Sequence, residues 1–178
     1  MKSYDVIIIG GGVVGCMTAR ALSRFDLKTL LIDRESDIGM GASSANSAII
    51  HSGHDPLPGT LKAEMNRKAN PMWDQLSAEL DIPFKRSGAY IVAVTQEEQN
   101  CLDGLLERAR KNGVPAEIID AQEMRRREPL INPSVCGALF TPTAGMVDPF
   151  AACVASVENA LLNGVDVLTE TEFIGFIL

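Results

Sequence analysis

Long apolar runs, a surplus of basic residues and clustered cysteines are all missing from this 178-residue chain. The longest apolar stretch runs over Val6–Ile9 and through Gly10, Gly11 and Gly12 into Val13 and Val14. It falls far short of the ~20 residues needed to cross a bilayer, so no transmembrane segment is expected. Asp5 precedes that stretch and glycines interrupt it, which is not the form of a signal peptide, and a cytoplasmic location is expected. Lys and Arg number 16 against 23 Asp and Glu, a formal net charge of -7. A binder of nucleic-acid backbones needs a positive field, so no nucleic acid is expected and the partner is a small molecule. Cys16, Cys101, Cys136 and Cys153 are scattered, with no CxxC pair and no histidine at ligand spacing. That argues against a zinc site or a disulfide framework and for reduced, packed thiols; no metal is expected. What the chain does hold is 46% hydrophobic and only 22% charged residues, enough apolar surface for a packed core.

The first motif follows at once. Residues 4–9, Tyr-Asp-Val-Ile-Ile-Ile, read as a strand buried on both faces, and Gly10, Gly12 and Gly15 then complete GxGxxG. The three glycines serve different ends. Gly10 allows the tight strand-to-helix turn, Gly12 lets backbone approach a pyrophosphate, and Gly15 lets the helix pack closely on the strand. The helix predicted over 13–25 carries Val14, Met17, Ala21 and Leu22 at helical spacing, and its N-terminus offers free N–H groups and a positive dipole to an anion. A second buried strand over 28–32 ends at Asp33, 18 residues beyond the last motif glycine, where a carboxylate can accept hydrogen bonds from both hydroxyls of a ribose. Strand, glycine turn, helix, strand and acid together specify a dinucleotide site.

The fingerprint alone does not separate FAD from NAD. The segment 34–47 does: it is long, made of small residues and rich in hydroxyls, suited to a phosphate and a ribityl chain lying alongside it, and FAD is the expected cofactor. A solvated Gly/Ser connector is the plainer alternative for that loop. Further on, 60–80 has helical character interrupted at Pro71, with Met72, Leu76 and Leu80 inward and Thr60 as N-cap. Residues 83–94 suggest two strands about a glycine turn, and 96–112 an amphipathic helix with Leu102, Leu105, Leu106 and Ala109 as its stripe, ended by Gly113. Short strands follow at 116–119 and 136–141. Between them lies a helix capped by Asp120, whose Arg125, Arg126 and Arg127 form an exposed, ion-paired face. Asp148 caps a helix over 150–163, Gly164 stops it, and a strand over 165–168 is expected to return beside 28–33. Residues 171–178 read as a strand with an exposed apolar edge that favours pairing with another copy.

These motifs carry a family likeness. GGGVVG, Asp33 followed by Arg34, the stretch GASSANSAIIHSG, the segment PGTLKAEMN and the later GMVDPF resemble the flavin oxidoreductases of the D-amino-acid-oxidase superfamily. The branch most similar contains FAD-dependent glycerol-3-phosphate dehydrogenases and L-2-hydroxyglutarate dehydrogenases. The resemblance covers the whole chain but only the N-terminal part of such an enzyme, so the chain is expected to be a fragment. It implies an α/β fold: a Rossmann-like, glutathione-reductase-type FAD-binding βαβ unit, incomplete at the C-terminus. Residues 1–52 and 144–178 would form that domain, with an inserted α+β cap segment at 53–143 on the substrate side. It also implies that Asp33 binds the adenosine ribose, Arg34 lies beside the adenine, Ser43 and Ser44 hold the pyrophosphate and ribityl region, and Asn46, Ser47 and His51 approach the isoalloxazine. The glycerol-3-phosphate enzymes look like Arg-Ser-Thr where this chain reads Ala45-Asn46-Ser47, a departure that bears on the substrate and not on FAD.

The expected reaction is oxidation of the C–OH of a small anionic substrate, glycerol 3-phosphate or a 2-hydroxy acid, by hydride transfer to flavin N5, with a separate electron acceptor. An amine- or amino-acid-oxidising relative and a catalytically inactive nucleotide-binding module are the alternatives. The only histidines, His51 and His54, lie close together. A neutral His51 can take the substrate's hydroxyl proton; packing over the ring as a hydrogen-bond donor, or a covalent link to the flavin, are its other readings. His54 and Lys62 read as loop and surface residues.

Overall fold

The computed structural model describes residues 2–177. In chain order the first elements are β1 (Val6–Ile9), α1 (Val13–Leu22), β2 (Thr29–Ile32), β3 (Ile49–Ile50), α2 (Leu61–Ala69) and α3 (Met72–Leu80). They are followed by β4 (Phe84–Lys85), β5 (Ala89–Ala93), α4 (Gln96–Lys111), β6 (Glu117–Asp120) and α5 (Ala121–Arg127). The last are β7 (Gly137–Thr141), β8 (Gly145–Val147), α6 (Pro149–Leu162) and β9 (Asp166–Leu168). The fold is α/β, divided into two compact units. One comprises residues up to 48, 76–83 and from 147 onward; the other comprises 49–75 and 84–146. The divisions expected from the sequence fall at 52/53 and 143/144.

The first unit is a parallel sheet in the order β1-β2-β9, with Ile7 opposite Leu30 and Leu31 opposite Val167. β2 is central, and all four of its residues are buried. Leu31 is fully buried, worth about 2–3 kcal/mol of transfer free energy. Helices α1 and α6 close the core through Cys16, Ala19, Cys153, Val157 and Ala160. Helix α6 starts where expected: Pro149 occupies its first position, and the Asp148 carboxylate accepts from the Phe150 and Ala151 N–H groups at 2.9 and 3.0 Å. Gly164, at φ +89°, ends it, and β9 joins β2, the return expected for 165–168.

Three expectations are corrected here. Among the described residues β1 pairs with β2 alone, which leaves Ile7 and Ile9 more than half exposed while Val6 and Ile8 are half-buried, Ile8 against the core of α1 and α6. Helix α1 stops at Leu22, and its inward face is Cys16 and Ala19, while Val14 is 77% exposed. At Gly15 the backbone of α1 lies against the Gly10 turn, and the adjoining face of Cys16 and Ala19 is the buried one, while Val14 and Ala21 are exposed and Met17 and Leu22 half-buried. Residues 171–177 form no strand: Thr171 N–H donates to the Asp33 carbonyl and Glu170 N–H to the Glu35 carbonyl, which folds the segment against the end of β2. The expected strand's final residue, Leu178, lies outside the described residues.

In the second unit an antiparallel sheet runs β5-β7-β6, with Ile91 opposite Leu139 and Leu139 opposite Ile118. Helix α4 covers it with the predicted stripe: Leu102 and Ala109 are buried, and Leu105 and Leu106 half-buried. Its start is a capping box, Thr95 accepting from the Glu98 N–H while the Glu98 carboxylate accepts from the Thr95 N–H. A second small sheet runs β3-β8-β4. The two strands expected over 83–94 are present but belong to different sheets, since Gly88, at φ +69°, turns the chain from one to the other. β8, three residues long, is too short to show a period of its own in the sequence. The break between α2 and α3 falls at Asn70 and Pro71 as predicted, and Leu76 and Leu80 are half-buried as expected, but Trp73 takes the inward place expected of Met72, which is exposed. Asp120 caps α5, and Arg126 and Arg127 are bound by Glu123, with Arg127 also reaching Glu117.

Candidate cofactor site

The glycine turn is built by contacts that no side chain could share. Gly10, at φ +109°, donates its N–H to the Ile32 carbonyl at 2.8 Å, joining the turn to the end of β2, and nothing lies within 4 Å of where its Cβ would stand. A Cβ at Gly15 would lie 1.9 Å from the Gly10 carbonyl oxygen, so α1 sits against the turn backbone to backbone. At Gly12, the extended residue that opens α1, a Cβ would meet the Ser43 hydroxyl at 3.3 Å. The middle glycine is constrained too. A Cβ on Gly11 would stand 3.0 Å from the Ile38 side chain and 3.1 Å from Asp33 Oδ2. The GxGxxG pattern leaves that position free, although three consecutive glycines at Gly10-Gly11-Gly12 are its visible signal.

Asp33 is woven into this turn. Its Oδ2 accepts from the Gly11 N–H, and its Oδ1 accepts from the Glu35 N–H at 2.9 Å. A carboxylate offers about four lone-pair sites, so two remain for hydroxyl donors. Ile9, Gly10, Ile32, Asp33, Arg34 and the incoming segment Thr171–Phe173 line a cavity of about 300 Å³ beside it. Arg34 stands exposed at this cavity, paired with Glu35 at 3.1 Å. The loop over 34–47 closes on the same turn: Gly39 N–H donates to the Gly11 carbonyl at 2.8 Å, and Ser43 Oγ accepts from the Val13 N–H at 2.9 Å.

Gly10, Gly12, Gly15, Asp33 and Ser43 are therefore brought together with Arg34 at the edge. Ser44 and Asn46 are engaged within their own turn, Ser44 Oγ donating to the Gly41 carbonyl and Asn46 Nδ2 to the Ser43 carbonyl, both at 2.8 Å. Asn46 Oδ1 accepts from the N–H of Ala48, whose φ of +59° this bond supports. Ser47 is exposed.

His51 belongs to the second unit, directly after β3. Its ring is exposed, and its carbonyl accepts from the buried Asn70 side chain at 3.0 Å. With Gly53, His54, Asp55, Lys62 and Asn66 it lines a cavity of about 100 Å³. His54 is the more enclosed histidine, bonded through Nδ1 to Ser52 Oγ at 3.0 Å, and burial holds its imidazole below the ordinary range. Buried Asn112 fixes this loop from α4, donating to the Gly53 and Pro56 carbonyls at 3.0 and 2.8 Å. Neither Asn70 nor Asn112 stands out as a site residue in the sequence, where nothing distinguishes a buried asparagine from an exposed one.

A parallel sheet whose first turn carries these glycines and whose second strand ends in a bonded carboxylate defines a dinucleotide-binding protein of the Rossmann type. The chain belongs to the family described as FAD dependent oxidoreductase, which it matches over residues 5–177. It is 42% identical, over 96% of its length, to a glycerol 3-phosphate dehydrogenase of Caloramator mitchellensis, of which it covers 36%. It is 38% identical to the mitochondrial L-2-hydroxyglutarate dehydrogenase of Caenorhabditis briggsae, over 83% of this chain and 34% of that protein. Among solved structures, the dithionite-reduced L-α-glycerophosphate oxidase of Mycoplasma pneumoniae with FAD bound superposes with a TM-score of 0.91 at 31% identity, over 98% of this chain and 46% of that one. The chain thus spans less than half the length of these relatives. The residues of the glycine turn fit FAD, because the open side of Gly10 and the cavity beside Asp33 leave room for a pyrophosphate and a ribose. No helix among the described residues is long and apolar enough to cross a membrane.

Proposed function

We propose that this chain is the FAD-holding part of a dehydrogenase that oxidises the C–OH of a small anionic substrate, glycerol 3-phosphate or a 2-hydroxy acid. The observation that carries this reading is Asp33, held at the end of β2 by the Gly11 and Glu35 N–H groups beside a cavity open to Gly10. Residues 1–52 and 144–178 serve as the FAD-binding part and 53–143 as the substrate-side cap. Gly10 and Gly12 admit the pyrophosphate, and the N-terminus of α1 faces it with positive dipole. Asp33 accepts from the adenosine ribose, Arg34 flanks the adenine, and Ser43 and Ser44 line the pyrophosphate and ribityl path. Asn46 and Ser47 border the ring. His51 takes the substrate's hydroxyl proton as the C–H bond breaks; its exposed ring is free to do so. When bound, the flavin supplies the hydride acceptor, and a separate acceptor reoxidises it. The four free cysteines support a reducing compartment, the cytoplasm. The exposed apolar side chains of Ile174 and Phe176 offer a contact to another copy.

The test starts with visible absorption of the purified chain. Flavin bands, with FAD released on denaturation, are expected; a colourless protein that takes up no added FAD overturns the binding role. Anaerobic titration of the flavin-loaded protein then names the substrate: bleaching by glycerol 3-phosphate or L-2-hydroxyglutarate is expected, and bleaching by amino acids alone overturns the C–OH assignment.

A further inference from the structure

The loop that follows β3 is tied down by its carbonyls. The His51 carbonyl accepts from Asn70 at 3.0 Å, those of Gly53 and Pro56 from buried Asn112 at 3.0 and 2.8 Å, and that of Asp55 from Arg108 at 3.1 Å. Its amides are left over. The N–H groups of Gly53, His54 and Asp55 donate to no acceptor among the described residues. Gly53 is buried, and a buried N–H without an acceptor is rare in folded chains, since water or a ligand normally supplies one. The loop runs close along α2, where Gly53 stands at φ +93° and a Cβ on it would lie 3.3 Å from that of Asn66.

Gly53, His54 and Asp55 line the cavity of about 100 Å³ together with His51, Lys62 and Asn66. Lys62 has no carboxylate within ion-pair distance among the described residues, whereas Lys68 of the same helix is paired with Glu64 at 2.6 Å. The Asp55 carboxylate, the acid on the cavity wall, is already engaged by Arg108 at 3.5 Å. The wall therefore offers unpaired donors and a surplus positive charge. What complements it is an acceptor that carries negative charge. The volume lies below the ~300 Å³ of sites that enclose whole small molecules, and suits one charged group of a larger ligand.

We propose that this cavity binds the anionic end of the substrate, a carboxylate or phosphate group, with Lys62 as counter-charge and the Gly53, His54 and Asp55 N–H groups as hydrogen-bond donors. Placing the substrate there rests on the dehydrogenase reading, in which His51, on the same cavity, takes the hydroxyl proton. In glycerol 3-phosphate and in 2-hydroxy acids the anionic group lies only a few bonds from the carbon that bears the hydroxyl. A group held by Lys62 and the loop amides thus keeps its C–OH beside His51. No bond forms or breaks at Lys62, which is a binding residue.

The experiment follows the amide proton–nitrogen spectrum of the 178-residue chain, without flavin, during titration with inorganic phosphate, glycerol 3-phosphate, L-2-hydroxyglutarate and glycerol. Saturable shifts of the Gly53, His54 and Asp55 signals are expected with the three anions and none with glycerol. Lys62 is exposed, so Lys62→Ala keeps the fold, and it is expected to weaken binding about tenfold, the loss of one charge-assisted contact, while Lys62→Arg retains most of it. At least one of the two hydroxy anions is expected to bind several-fold more tightly than inorganic phosphate and to move the His51 ring signals. Absence of saturable shifts, or shifts insensitive to Lys62→Ala, overturns the site. Inorganic phosphate binding as tightly as both hydroxy anions, with the His51 ring unmoved, marks a site for free anions and overturns the substrate assignment. Because no flavin takes part, a failed anion titration leaves the dehydrogenase reading standing, and that reading is refuted separately by absent FAD uptake or bleaching.

Discussion

Replacing Gly15 with Ala tests the closest backbone approach in the cofactor turn. The new Cβ would stand 1.9 Å from the Gly10 carbonyl oxygen and 3.1 Å from its carbon, so α1 or the turn has to move by about 1 Å or more before ordinary contact is restored. Both parties are backbone, with no side chain to rotate aside. Overpacking of this kind costs about 1–3 kcal/mol, and the absence of a flexible neighbour puts Gly15→Ala at the upper end. A helical Gly-to-Ala change gains about 1 kcal/mol from helix propensity, so a net loss of about 2 kcal/mol is expected, or about 4–8 °C in Tm for a chain of this size. Gly104 is the matched control: it also lies within a helix, α4, is exposed, and has nothing within 4 Å of its Cβ position. Gly104→Ala is therefore expected to raise Tm by about 2–4 °C. Thermal melts of the three proteins followed by far-UV circular dichroism decide the matter. A Gly15→Ala protein that melts at or above the unaltered temperature would refute the reasoning, since the propensity gain would then stand unopposed.

Asp33→Ala strands the Gly11 and Glu35 N–H groups and is expected to destabilise by about 1–3 kcal/mol in urea titration, with FAD lost on gel filtration; unaltered flavin content removes Asp33 from the ribose role. Asn112→Ala strands the buried Gly53 and Pro56 carbonyls and is expected to cost about 1–3 kcal/mol, while Asn112→Asp, which sets a carboxylate against those oxygens, is expected to be worse; equal urea midpoints would sink this account. Glu123 is held at about 2, below its ordinary 4.5, by hydrogen bonds from Arg126 and Arg127. A depressed carboxylate contributes stability that is present above its unfolded value and is lost as pH falls through its folded one. The difference in denaturation midpoint between the unaltered chain and Glu123→Gln should therefore be full at about pH 6, shrink between about 4.5 and 2, and vanish below; a difference independent of pH contradicts the ion-pair origin.

Much of both units is legible in the sequence because the signals are local. Gly10, Gly12 and Gly15 are demanded by a turn and a close approach within one short stretch of chain, Asp148 and Asp120 cap the helices that begin beside them, and Gly113 and Gly164 end the helices that precede them. The stripe Leu102, Leu105, Leu106 and Ala109 follows from helical spacing alone. Among the site residues, Asp33 is marked by its distance from the glycines. Ser43, by contrast, stands among several hydroxyls that composition does not rank, and only its bond to the Val13 N–H separates it from Ser44, which bonds its own turn.

What the amino-acid sequence determined by itself is the βαβ unit and its glycine-and-acid site, because each depends on backbone conformation and caps set by neighbours in the chain. Apart from the return of β9 beside β2, which strands pair was decided only in the tertiary structure. β4 and β5, joined by a short turn, enter different sheets, since pairing is settled by partners far along the chain. The same holds for Cys16 and Cys153. They enter one core because α1 and α6 pack over one sheet, and no spacing between residues 16 and 153 could announce it.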